Sequence, residues 1–406
     1  MFKNLVLILI PIIIGISSCK TKQSNKSADQ ETEFKTDFEV DENSFMMKMQ
    51  SNALQEPYKG IFTSSNDEHN LFPIKSTGVS TKPIINAAVK FIKSLSNRQA
   101  EKTVFQIEDD EWRKWSNVDN GIYERQGISL KEMNKNQRTL AFKLMQEALS
   151  AKGLQLSKDI MKTDQTLREI NNNNPMFDED LYYFTIMGTP SAIEPWGWQI
   201  DGHHLVINYF VLGDQVVMTP TFMGGEPIIT ETGKYKGNTL FQDEQNLGLK
   251  FINSLSLEQQ KEAIINSEKN NNNIKAEAFK DNITLDYEGI KGDKLTDEQK
   301  TSLLHLINQY ISNMREGHAT VKMEEVENHF KETYFSWVGE LDEDAVFYYR
   351  IHSPVVLIEF DHQRPVGVRG NGREVSRNHI HTVVRTPNGN DYGKDLLKQH
   401  LESHHH

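Results

Sequence analysis

Two histidines one residue apart, in Asn378-His379-Ile380-His381-Thr382-Val383, are the chain's strongest chemical signal. Alternate side chains of a strand share a face, so His379 and His381 point the same way, their roots roughly 6–7 Å apart. From that spacing two imidazoles can converge on one metal ion. Upstream, Leu357-Ile358-Glu359-Phe360-Asp361-His362 places Glu359 and Asp361 on one face of a second strand. Two histidines and a carboxylate are a common set for a transition metal: zinc, iron or copper. Such a set leaves a position for water or substrate. Zinc would generate hydroxide for hydrolysis, and iron or copper would support oxidation. Glu359 is a candidate ligand or, one shell further out, a general base.

A parallel constellation precedes it: Trp196-Gly197-Trp198-Gln199-Ile200-Asp201-Gly202-His203-His204. Here Gln199 answers Glu359, and Asp201, a further catalytic candidate, answers Asp361. Adjacent histidines on a strand face opposite ways, so one of the pair is the ligand. The parity of Gln199 and Asp201 favours His203, but Gly202 permits a sharp bend that keeps His204 open as well. Trp196 and Trp198 could form a substrate platform, and Arg350 and Arg385 could clamp a carboxylate or phosphate. Each has a plainer reading: turn caps for the histidines, core anchors for the tryptophans, salt bridges for the arginines.

Other motifs carry less. Val366-Gly367-Val368-Arg369-Gly370-Asn371-Gly372-Arg373 is glycine-rich but lacks the strand-to-helix context of a phosphate loop. Thr219 to Pro227 is turn-rich and a candidate cleft lining. Met46, Met47 and Met49 read as packing of a short helix. A Gly-x-Ser-x-Gly elbow, a Walker loop and a His-Glu-x-x-His helix are all absent from the sequence, which weakens serine hydrolase, nucleotide-dependent and zincin readings.

The elements that must position these residues occur twice. Lys90-Phe91-Ile92-Lys93-Ser94-Leu95-Ser96 returns as Lys250-Phe251-Ile252-Asn253-Ser254-Leu255-Ser256. Met133 to Ser150 and Leu295 to Ser312 both have a helical apolar period, with start signals at Asn134 and at Thr296-Asp297-Glu298-Gln299. Strands are predicted after each: 181–186, 196–200, 204–212 and 215–219, with Gly213-Asp214 as a hairpin turn, then 346–351, 355–361 and 379–385. Asn runs at 171–174 and 270–273 read as surface loops. The expected fold is α+β, with two similar helix-helix-antiparallel-strand modules, 81–245 and 246–397, packed as one duplicated core. Approximate twofold symmetry would bring His203 or His204 to His379, His381 and Glu359.

Glu194 to Leu205, Gly213 to Phe222, Tyr348-Tyr349-Arg350-Ile351-His352 and Asn378 to Val383 resemble signature stretches of the DUF3500 family of uncharacterised proteins. The resemblance covers about residues 85 to 397. It implies one functional unit there and names no reaction.

The remaining signals concern address. Lys3, an apolar run from Leu5 to Ile14 and the small residues Gly15, Ser17 and Ser18 before Cys19 read as a secretory signal, residues 1–18. The run is shorter than the roughly 20 residues of a spanning helix. Ile16-Ser17-Ser18-Cys19 resembles a lipobox, so Cys19 is expected to be lipidated and followed by a mostly flexible tether, residues 19–80. Membrane attachment outside the cytoplasm, in the cell envelope, is the expectation. Cys19 is the single cysteine, leaving no internal disulfide. A net charge of -12 argues against nucleic acid, and residues 398–406 read as a disordered or tag-like tail. The leading functional expectation is a metal-dependent enzyme, hydrolase or oxidoreductase, acting on a small organic or peptide substrate. The rivals are a ligand-binding lipoprotein with an aromatic cleft and a structural envelope protein.

Overall fold

The computed structural model describes residues 39–65, 70–368, 372 and 374–404. Cys19 and the expected signal lie outside the described residues. Among the described residues, no helix is long and apolar enough to cross a membrane.

After α1 (Phe45–Leu54), the first half runs α2 (Lys82–Ser94), α3 (Asn97–Thr103), β1 (Val104–Phe105), β2 (Ile128–Ser129), α4 (Lys135–Ala148) and α5 (Ala151–Ile170). It ends with β3 (Tyr182–Gly188), β4 (Trp196–Gly202), β5 (Leu205–Leu212), β6 (Gln215–Val217) and β7 (Thr221–Gly225). The second half runs α6 (Gln242–Ser254), α7 (Leu257–Ala263), β8 (Ile264–Asn266), β9 (Ile290–Lys291), α8 (Asp297–Ile311) and α9 (Glu316–Asn328). There follow β10 (Tyr334–Gly339), β11 (Phe347–His352), β12 (Leu357–Gln363), β13 (Ser376–Arg385) and α10 (Lys394–His404).

Helix starts are written locally. Ser96, Asn134, Ser256 and Thr296 each form a reciprocal capping box with the glutamine three residues on, opening α3, α4, α7 and α8. The Gln137 amide then donates to Ser94 O and Gln99 Oε1, and the Gln299 amide donates to Ser254 O and Gln259 Oε1. Each pair of helices is tied by the same wiring.

The fold is mixed α/β, built on one large mixed sheet of order β1-β3-β4-β5-β7-β13-β12-β11-β10-β8. Strands β2, β6 and β9 lie beside β3, β5 and β10. The β1/β3 and β8/β10 pairs are parallel, and the long strands between are antiparallel. The halves join where β7 pairs with β13, from Thr221 opposite Val384 to Gly225 opposite Ile380.

Strands β4, β5, β7, β11 and β12 are buried along their whole length, so both sheet faces are covered. The helical face is aromatic: Phe91 of α2 meets Phe184, Phe251 of α6 meets Phe335, and Tyr310 of α8 hydrogen-bonds Tyr349. The opposite face is polar at alternate positions and covered by long segments. Gln199 donates to Trp112 O, Asp201 pairs with Arg125, and Glu359 and Asp361 accept backbone N–H bonds from residues 273–276. Buried polar groups need such partners, and the covering loops supply them.

Strands β7 and β10 were not expected from sequence: the glycines of β7 disfavour a strand taken alone, and only its pairing with β5 and β13 fixes it. The two Asn runs are also more than surface loops. Asn171 is buried, and Asn273 N donates to Asp361.

Candidate metal centre

Gly202 pairs with Leu205 across the end of the β4–β5 hairpin, leaving His203 and His204 as its two-residue turn. A Cβ on Gly202 would sit 2.3 Å from the Tyr182 ring, so only glycine fits at the entry. His204 has a left-handed φ of 60°, a conformation costing a non-glycine residue roughly 1–2 kcal/mol. It is held from both sides: His204 N donates to Asn117 O at 3.2 Å, and Gly224 N donates to His204 O at 2.8 Å. The turn brings the two neighbouring rings onto one side, stacked with centroids 3.9 Å apart. In an extended strand they would have faced opposite ways.

His379 and His381 lie on the polar face of β13, as the strand period requires. Their Nε2 atoms are 3.0 Å apart, and His204 Nε2 is 3.2 Å from His379 Nε2. One ligand atom from each of the three lies within 4.8 Å of the others. Gly224, opposite His381 on β7, makes this convergence possible: a Cβ there would come within 3.1 Å of both the His204 and His381 rings and 2.9 Å of Ile380 O.

His379 Nδ1 donates to Arg364 O at 2.7 Å, which leaves its Nε2 lone pair free for a ligand. Glu226 Oε2 lies 3.5 Å from the same Nδ1. The Glu226 carboxylate accepts the N–H groups of Val366, Gly367 and Val368 at 2.8–3.1 Å, and Asn171 donates to Gly367 O. The segment carrying the Arg364 carbonyl is therefore pinned at several points.

Burial, followed by the neighbouring imidazoles, holds His204 and His381 well below the ordinary histidine pKa. Burial also lowers His379, against the pull of Glu226. All three are neutral near neutral pH, the state a metal requires. His203 is the reverse. Burial is the largest influence and opposes its charge, but Asp164 and Asp119 together outweigh it, and its pKa is raised. Its Nδ1 lies 2.5 Å from Asp164 Oδ1 and its Nε2 3.0 Å from Asp119 Oδ1. With a carboxylate oxygen at each nitrogen, both ring nitrogens of His203 are engaged and neither is turned to the other three histidines.

A tetrahedral ion with metal–nitrogen bonds of about 2.0–2.1 Å spaces its ligand nitrogens about 3.3–3.4 Å apart. The 3.0 and 3.2 Å separations are close to that. Three neutral imidazoles would leave the fourth position open.

The other sequence-predicted residues are placed elsewhere. Glu359 is fully buried, and its carboxylate accepts from Lys275 N, Ala276 N and the Tyr348 hydroxyl. Asp201 pairs with Arg125. Arg350 binds Glu288 and Asp286 O. Arg385 is buried against Asp281, Asp391 and Ala276 O. Trp196 and Trp198 are fully buried, with Trp198 stacked on Tyr209, and neither lines an open cleft. Sequence reasoning missed Asp164 and Asp119, and it singled out Glu226 only within the turn-rich stretch from Thr219 to Pro227. Asp164 carried a faint signal, a carboxylate on the buried side of α5.

Comparison with curated proteins and with solved structures returns no match. A family model described as "Protein of unknown function (DUF3500)" matches residues 77–394. That span includes the turn, both strands of the seam and all three converging histidines, and the chain belongs to the DUF3500 family.

Proposed function

We propose that this chain is a metal-dependent enzyme, a hydrolase or an oxidoreductase acting on a small organic or peptide substrate. His204, His379 and His381 hold one transition metal ion. The observation that carries the reading is the convergence of three buried, neutral imidazole nitrogens made possible by Gly224. Zinc, iron and copper all accept such a set. A bound metal would supply a Lewis acid or redox centre. The chain's own part is to fix the three nitrogens and to hold the His379 tautomer through Arg364 O. The Asp164–His203–Asp119 group stands beside them, and the Asp119 side chain, 20% exposed, is the most accessible member.

We also propose that Cys19 is lipidated and anchors the protein outside the cytoplasm, on the strength of the Ile16-Ser17-Ser18-Cys19 stretch. The two halves are read as a duplicated module. The repeated capping boxes, the matched Gln137 and Gln299 wiring and the mirrored strand order support that reading.

The test is elemental analysis of residues 20–400, without the terminal histidines, against a folded His379→Ala/His381→Ala variant. Near-stoichiometric metal in the parent and none in the variant is expected. A parent that takes up no zinc, iron or copper on reconstitution overturns the metal centre. A Cys19→Ser chain released from the membrane fraction would support the anchor, and one that stays would refute it.

A further inference from the structure

We propose that a cleft on the helical side of the β7–β13 seam is a second binding site, for a small uncharged amphiphile bearing a hydroxyl or amide donor.

The cleft has two chambers. The inner one, about 60 Å³, lies between the seam and α5, α6, α8 and α9, with Leu156, Met223, Ile311 and Val384 in its walls. The outer one, about 370 Å³, opens beside Phe72, Lys75, His318 and His329. They share Val216, Val217, Lys322, Glu325 and Asn390 as a common neck. At 10–15 Å³ per water, the inner chamber has room for roughly five waters, enough for the small polar head of a ligand whose body lies through the neck in the larger outer chamber.

The inner walls are more apolar than their residue types suggest. Thr221 and Thr382 donate their hydroxyls to Met218 O and Met223 O, and Thr219 and Thr386 hydrogen-bond each other, so each of these hydroxyls already has a partner. Three polar atoms have no partner: Asn313 Oδ1 in the inner chamber, Glu325 Oε1 at the neck and His318 Nε2 in the outer chamber. Asn313 and His318 are only 4% and 2% exposed. Two of the three atoms are acceptors, which calls for a donor on the ligand. The cation at the neck is already engaged, because Lys322 Nζ donates to Glu325 Oε2 and Val355 O. With Glu325 beside it, the neck suits a neutral head better than a carboxylate.

The site is separate from the histidines. Met223 and Thr382 pair across the seam and face the chamber, whereas their neighbours Gly224 and His381 face the opposite side.

The test uses the purified full chain and ligand-observed NMR with benzyl alcohol, toluene and benzoate. Benzyl alcohol should bind, toluene at least about fivefold more weakly because it leaves Asn313 unpaired, and benzoate not detectably at the same concentration. Val216→Trp, at the half-buried neck, should weaken benzyl alcohol by more than about tenfold with an unchanged circular dichroism spectrum. Asn313→Leu should bring toluene and benzyl alcohol within about twofold. The proposal fails if no probe binds, if Val216→Trp binds as the parent does, or if benzoate matches benzyl alcohol. Loss of benzyl alcohol binding in a folded His379→Ala/His381→Ala variant would assign the probe to the histidine centre and also overturn it.

Discussion

The imidazoles of His203 and His204 stack 3.9 Å apart, yet the pKa of His203 is raised and that of His204 is lowered. The division follows from their partners. Carboxylates meet both nitrogens of His203, while His204 Nε2 faces His379 and its Nδ1 has no partner. One turn thus presents one imidazole to the histidine cluster and a carboxylate-paired one against its ring.

The two residues should respond differently to replacement. His204→Ala should lose bound metal. His203→Gln should keep one equivalent but bind it about 10–100-fold more weakly, the usual effect of disturbing a group that orients a ligand. Metal titration of both variants decides this; equal loss in the two would make His203 a ligand.

Gly224→Ala should be costly for its size. The added methyl meets two imidazoles and a carbonyl at 2.9–3.1 Å, with strand pairing on both sides limiting relaxation. A destabilisation of about 1–3 kcal/mol in chemical denaturation is expected, together with weaker metal binding. Gly213→Ala provides the steric comparison, since a Cβ there meets nothing within 4 Å, although its φ of 61° adds backbone strain.

Glu359 separates structural from chemical roles. Glu359→Ala strands two backbone N–H groups and the Tyr348 hydroxyl, for a predicted loss of about 3–5 kcal/mol. Glu359→Gln keeps an acceptor and should cost less. At temperatures where they remain folded, both should bind metal as the parent does. Loss of metal from folded Glu359→Gln would return this carboxylate to the ligand set.

His352 gives a pH test away from the metal centre. Burial, helped by Arg350, pushes its pKa down to about 3. The unfolded chain protonates this residue near pH 6.5 and the folded chain does not, so its neutral form favours folding above pH 6.5. That contribution is lost as pH falls from about 6.5 towards 3. Relative to His352→Gln, the parent's folding constant should fall by up to about tenfold per pH unit over that window. Parallel stability curves for the two proteins would refute the assignment.

Much of the secondary structure was legible because its signals are local. Asn134 and the Thr296–Gln299 box mark helix starts, and the strands bearing Trp198, Tyr349 and His381 follow from β-rich runs. The His379/His381 pair was legible for the same reason, the period of two. What failed was parity through a turn: the left-handed φ of His204 reverses the side a strand would assign, and only the tertiary grip of Asn117 and Gly224 sets it. Glu359, Asp201 and Arg385 looked like site chemistry because polar residues alternated along strands. Alternation cannot distinguish a face open to a substrate from one roofed by the same chain, here by residues 275–281 over Glu359 and Arg385 and by Ser116 and Arg125 over Asp201.

The seam also fixes when the centre can exist. One of its histidines follows β4, and the other two lie on β13, the last strand of the sheet. During synthesis nearly the whole chain must emerge before the third nitrogen is available, so no nascent fragment can hold the complete set. For an exported chain, the ion would then be chosen where folding finishes rather than where translation occurs. Local metal supply there, more than the intrinsic preference of three imidazoles, would decide which element the protein carries.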